Sequence, residues 1–193
     1  MAPPQRRGHG NPGRARLSPA TLAKVSVAPL FEGWHRVQGR LTNRLPTLSP
    51  DELHLRASSE GWPIWAIVSH IAVARVYWLC EVCKEPGAET TPFADPGEGW
   101  EDRLDVPRST EELMFAVKSS WQIVESCLQR WTPAMLGESF TRERDGEIQR
   151  HTRQSVLTRL VMHDSFHCGE VSILLGTHGL PGMDPWESNP VNP

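Results

Sequence analysis

Tyrosine is nearly missing from this chain: there is one, against eight tryptophans. Cysteine is scarce as well, and Cys80, Cys83, Cys127 and Cys168 are too few to staple a fold of 193 residues. No apolar run opens the sequence, so a secretory signal is not expected, and the thiols are expected to stay reduced in a cytoplasmic setting. Cys80 and Cys83 do form a C-x-x-C pair. It lies near the end of an apolar stretch rather than after a strand, and reads as small core-filling residues one helical turn apart. An excess of basic charge is absent too. The formal net charge is −3, and Arg6, Arg7, Arg14 and Arg16 sit in a leader without acidic residues, which leaves the rest of the chain at −7. An acidic body argues against nucleic acid as a partner, because binding phosphate needs a basic face. Residues 1–16, rich in Pro, Gly and Arg, read as a disordered leader. Residues 187–193 read as a tail.

What is present is enough for one domain, expected over residues 17–186. Ser18-Pro19 reads as an N-cap followed by proline at the first helical position, and Leu22, Val25, Leu30, Trp34, Val37, Leu41 and Leu45 then recur at helical spacing. Pro29 lies inside this segment, where it would kink or split a helix. The stretch Pro63 to Cys83 is apolar on nearly every side. Ser69, His70 and Arg75 in its middle argue for a buried helix rather than a membrane span, and no membrane partner is expected. Glu85 to Pro107 reads as a long loop, of a length that usually carries function. Ser109-Thr110-Glu111-Glu112 is a capping box opening a third helix to about Trp131, with Leu113, Val117, Trp121, Val124 and Leu128 as its inner stripe. Asp145-Gly146, flanked by extended residues, predicts a hairpin. A fourth helix follows Thr152 and ends at Gly179, just before Pro181. The expectation is an all-α four-helix bundle with a long crossover loop between helices two and three and a small β-hairpin before helix four.

The fourth helix carries the informative residues. Val156, Leu160, His163, His167, Glu170 and Leu174 share one face, so two histidines and a glutamate point inward together. Two histidines four apart on a helix aim their rings at a common point, as metal ligands must. His70 lies in the most apolar helix, where an unpartnered imidazole is costly. Three neutral imidazoles facing one interior are better explained by one divalent cation than by three separate bonding arrangements. Three histidines also leave a coordination position open for chemistry or substrate. Glu170 is a fourth ligand, an orienting partner of a histidine, or a general base. Asp164, a quarter turn off the stripe, is expected to bond a neighbouring helix. His151 reads as surface or hairpin packing, and His178 as a residue favoured at a helix C-terminus. Trp65 and Tyr77 lie near the His70 face and read first as core.

Two segments resemble one family. Trp62-Pro63-Ile64-Trp65-Ala66-Ile67-Val68-Ser69-His70-Ile71-Ala72 is similar to the helix-two signature of the DinB-like superfamily, a Trp with a His eight residues later. His163-Asp164-Ser165-Phe166-His167-Cys168-Gly169-Glu170 resembles its helix-four signature. Glu170 stands where glutamine is commoner, and Cys168 where the usual run has arginine. The resemblance implies a four-helix bundle with one divalent metal, zinc or nickel, on His70, His163 and His167. It further implies a metal-dependent enzyme that activates a low-molecular-weight thiol toward an electrophile, as an S-transferase does. A hydrolase using metal-bound water, or a non-catalytic stress-response or binding protein with a structural metal, are the alternatives. Cys168 then reads as packing, with a soft ligand or an oxidisable thiol as the other options. A homodimer is expected, since such bundles often pair an exposed apolar helix face.

Overall fold

The computed structural model describes residues 25–95 and 98–184. The expected leader, the cap at Ser18-Pro19, Leu22 and the tail lie outside the described residues. Between these limits the chain is mostly helical. In order come α1 (Glu32–Arg44), the single turn α2 (Pro50–Leu53), α3 (Ile64–Val76), α4 (Thr110–Arg130), strands β1 (Ser139–Arg144) and β2 (Glu147–Thr152), and α5 (Arg153–Thr177).

The first long helix departs from expectation. It does not run through Pro29: a 3-10 turn, Ala28–Phe31, precedes it and holds Pro29 in its first turn. A missing N–H is harmless at the start of a helix and damaging inside one, so the proline marks the entrance rather than a kink. The second long helix is present as α3, and it continues into a wider π-helical turn, Tyr77–Val82, where the Cys83 N–H reaches back to the Trp78 carbonyl at 3.1 Å. By length and composition Ile64–Val82 would suffice to cross a membrane, but 78% of that stretch is buried within the protein. It is the core helix, packed against α4 and α5.

The capping box of α4 is formed in both directions between Ser109 and Glu112, and its expected inner stripe from Leu113 to Leu128 is buried. Asp145 and Gly146 take φ of 55° and 78°, as a two-residue I′ turn requires, and β1 and β2 pair antiparallel from Ser139↔Thr152 to Arg144↔Glu147. Thr152 caps α5. At the far end Gly179, at φ 72°, lets the Leu180 N–H reach the Leu175 carbonyl and the Gly179 N–H that of Gly176, a Schellman closure.

One buried carboxylate connects all four long helices. Asp164 on α5 has no exposed surface, and its Oδ2 accepts from Trp34 Nε1 of α1 at 2.7 Å and from Arg75 Nε of α3 at 2.8 Å. Arg75, equally buried, also donates to the Val117 carbonyl of α4 at 3.3 Å, and Gln38 of α1 donates to that same oxygen. The expectation that Asp164 bonds a neighbouring helix thus holds, with two helices directly and a third through Arg75. An unpaired guanidinium in this position would lose its counter-charge without regaining water. Asp164→Ala is therefore expected to cost about 3–5 kcal/mol in urea denaturation, whereas replacing both partners with apolar residues of similar volume should recover most of that loss.

Candidate metal centre

α3 is apolar around its whole circumference, so His70 can escape burial only where the wall of neighbouring helices ends. It is 29% exposed there, facing α5. His163 and His167 follow each other by one turn on α5 and close the other side. The Nε2 atoms of His70 and His163 lie 2.9 Å apart, and one ligand atom from each of the three rings falls within 4.8 Å of the others. His70 and His167 meet edge to face with centroids at 5.0 Å, and Trp62 packs on His70 at 4.9 Å. The structure brings together the three histidines singled out in the sequence, and the cluster could hold a metal ion.

The opposite ring nitrogens decide what the cluster can do. His70 Nδ1 is 2.7 Å from Glu101 Oε1, and His167 Nδ1 is 2.8 Å from Glu170 Oε2. His163 Nδ1 faces Asp164 Oδ1 at 3.7 Å, and both atoms are buried without a hydrogen-bond partner among the described residues. A nitrogen hydrogen-bonded to a carboxylate carries the proton, which leaves Nε2 of His70 and of His167 as lone pairs. With His163 in the same tautomer, its Nδ1–H toward Asp164, three lone pairs converge with no proton between them. That repels unless a cation sits at the focus, so the donor set fits a divalent ion. Burial chiefly holds the His167 pKa below its usual value, with His163 and His70 adding to the effect against the raising influence of Glu170. The ring therefore stays neutral and able to ligate. Glu170 is thus an orienting partner of His167, one of the three roles the sequence left open, and its carboxylate is not among the clustered ligand atoms.

Glu101 was not legible from spacing. It sits in the long loop, on a 3-10 turn Trp100–Asp102, is 7% exposed, and also accepts from Ser69 Oγ at 3.1 Å. Gly99 makes room for it: a Cβ there would fall 2.2 Å from Glu101 Oε2. A cavity of about 460 Å³ opens beside His70 and His163, floored by Val73, Ala74, Tyr77 and Trp78. Tyr77 therefore lines the site, while Trp65 is fully in the core.

The family pattern of the DinB superfamily matches residues 34–171. The chain belongs to the DinB superfamily. The matched span contains His70, His163, His167, Glu101 and Glu170. The fold is similar to a crystal structure of a DinB-like protein from Bacillus cereus ATCC 10987, with a TM-score of 0.60 and 17% identity over 83% of this chain and 98% of that one. No curated protein matches the sequence. Against the usual DinB signature, this chain's Cys168 points away from the triad. It is buried in the α1–α5 contact, beside a cavity lined by Val37, Arg40 and Met183.

His151 packs edge-on against Trp78, and His178 Nδ1 lies 2.9 Å from the Leu174 carbonyl at the end of α5, so neither joins the cluster. All four cysteines are free. Burial pushes the Cys80 thiol up to about 11 and those of Cys83, Cys127 and Cys168 up to about 12. Thiolate is the reactive form, so the C-x-x-C pair is a packing feature. In the native protein at pH 8 none of the four should react with a colorimetric disulfide reagent over minutes, and all four should react after denaturation. Rapid native labelling of Cys80 and Cys83 would contradict this account.

Proposed function

We propose that His70, His163 and His167 bind one divalent cation, zinc or nickel, and that the protein is a metal-dependent enzyme acting on a low-molecular-weight thiol in an S-transferase-like reaction. The observation that carries the reading is the convergence of one ligand atom from each of three imidazoles within 4.8 Å, with the His70 and His167 rings each held by a carboxylate on the other nitrogen. The four long helices are read, in the same proposal, as the frame of a four-helix bundle with the site at its rim.

When bound, the cation supplies Lewis acidity that lowers the pKa of a coordinated thiol and makes it nucleophilic at neutral pH. Every other contribution is made by the chain. Glu101 and Glu170 hold the His70 and His167 rings in the tautomer that presents Nε2. Asp164, itself fixed by Arg75 and Trp34, places a negative charge 3.7 Å behind His163 Nδ1. Only three side chains converge, so a position remains for a substrate, and the neighbouring cavity has volume for a small molecule.

Thiol is favoured over water by what the carboxylates are doing. A hydrolase benefits from a free general base beside the nucleophilic water. Glu101 and Glu170 are both tied to imidazole nitrogens and are not available for that task. A thiol, with an ordinary pKa of about 8.5, is acidic enough to ionise on a Lewis acid without help. A purely structural metal is disfavoured because a structural site normally closes with a fourth protein ligand, and the cluster comprises three residues.

Elemental analysis of the purified chain should find close to one divalent ion per molecule, and His163→Ala should lose it. Glu101→Gln and Gly99→Ala, which disturb the partner of His70 and leave the ligands in place, should each weaken metal binding by about 10- to 100-fold in a competitive chelator titration. A panel of thiols assayed with an electrophile for loss of free thiol tests the reaction itself. Full metal content and activity in His163→Ala would overturn the assignment.

A further inference from the structure

The cavity beside the histidines has a second, positively charged end. Arg142 of β1 and Arg159 of α5 both lie over Trp78, with guanidinium carbons 4.4 Å and 4.6 Å from the ring centroid. Both line the cavity that holds His70 and His163. Arg142 donates twice to Gln149 Oε1 and once to Tyr77 Oη, so three of its five N–H groups are used by neutral acceptors. Arg159 is exposed at the cavity mouth and has no hydrogen-bond or carboxylate partner among the described residues, whereas the two buried arginines, Arg75 and Arg153, are each matched to an acid. Two guanidiniums on one indole, neither with a counter-ion, repel each other, and that repulsion is relieved by an anion bound between them.

Three carboxylates share the cavity wall. Glu101 is bonded to Ser69 and His70, and Asp102 accepts from the Gly99 N–H, so both are directed elsewhere. Glu143 is exposed on the hairpin. His151, against the far edge of Trp78, is held below its usual pKa by burial and then by Arg142 and Arg159, and it adds no charge at neutral pH. A third lining arginine, Arg144, is exposed and paired with Asp145 at 3.4 Å, so the positive end of the cavity is Arg142 and Arg159. The acidic residues around it oppose a dianion more strongly than a monoanion, which favours a carboxylate over a phosphate.

We infer that this cavity takes a small molecule bearing a carboxylate, held by Arg142 and Arg159, with its reacting group lying at the histidines. Arg159 is one turn before His163 on the same face, so the two ends are separated by about 6 Å along the helix. That span suits a short acid with its thiol two or three carbons from the carboxylate. Trp78 and Tyr77 supply the apolar floor between the ends. The inference rests on the reading of the histidines as the reacting centre, and the test separates the two.

The probes are 3-mercaptopropionate and its neutral analogue 2-mercaptoethanol, titrated into the cobalt-substituted full chain and followed by the sulfur-to-cobalt charge-transfer band. The acid should bind about 10- to 100-fold more tightly, the advantage of a charge-assisted contact. Arg159→Gln should reduce that ratio to near one by weakening binding of the acid. Arg159 is exposed and packs on the face of Trp78, so this variant should fold, and Arg159→Lys should retain part of the preference. Equal binding of both thiols to the wild-type protein would overturn the carboxylate assignment while the thiol reading stands. If neither thiol perturbs the cobalt spectrum, the thiol reading fails. The arginines are then judged by tryptophan fluorescence with propionate: a saturable change lost in Arg159→Gln supports the inference, and no change overturns it. Inorganic phosphate displacing 3-mercaptopropionate more effectively than propionate does would also count against it.

Discussion

The rest of the structure depends on the Asp164 carboxylate. It takes hydrogen bonds from Trp34 on α1 and Arg75 on α3, and Arg75 passes the connection to the backbone of α4 at Val117. Apolar packing alone specifies poorly how a helix is rotated about its own axis, because many rotations bury similar area. A buried ion pair with fixed donors does specify it, since turning α5 would strand two charges in the core. Asp164 directly follows His163 and precedes His167 by three residues. The interaction that fixes the rotation of α5 therefore also fixes where both imidazoles point.

Each histidine is then refined by a carboxylate of a different origin. Asp164 belongs to the helix core, Glu170 to the next turn of the same helix, and Glu101 to the long loop before α4. The loop thereby becomes part of the site. Its 3-10 turn at Trp100–Asp102 packs on α3, and Gly99 leaves the space that the Glu101 carboxylate occupies. A loop of this length would ordinarily be free to move. Here a buried carboxylate with two partners holds it at one point, and that point touches the centre.

Much of this was readable from the chain, for identifiable reasons. The α4 capping box, the Asp-Gly hairpin and the glycine stop of α5 are local signals whose chemistry is complete within a few residues, and they were read correctly. His163, His167 and Glu170 were visible because one helix sets their spacing. His70 required the further premise that an imidazole in an apolar helix needs a partner. Leucine spacing carried the first helix through Pro29, and the break expected at that proline takes the form of a 3-10 turn before α1. Glu101 and the Arg142–Trp78–Arg159 arrangement were not visible at all. Their partners are 31, 64 and 81 positions away along the chain, on elements whose mutual placement no periodicity encodes. The local half of the site was legible, and the half assembled across elements was not.

The division of labour among the acids has a chemical consequence. A carboxylate facing a histidine N–H strengthens that histidine as a donor and spends its own basicity doing so. With Glu101 and Glu170 both placed this way, the carboxylates next to the imidazoles are engaged, and those left on the cavity wall, Asp102 and Glu143, belong to the loop and the hairpin. Under the proposed reaction, the proton that leaves is one the incoming thiol gives up readily. On the proposed thiol reading, the ordering of the imidazoles and a preference for acidic nucleophiles are two results of the same arrangement. A centre that kept one of these carboxylates free would hold its histidines less firmly and accept a wider range of chemistry.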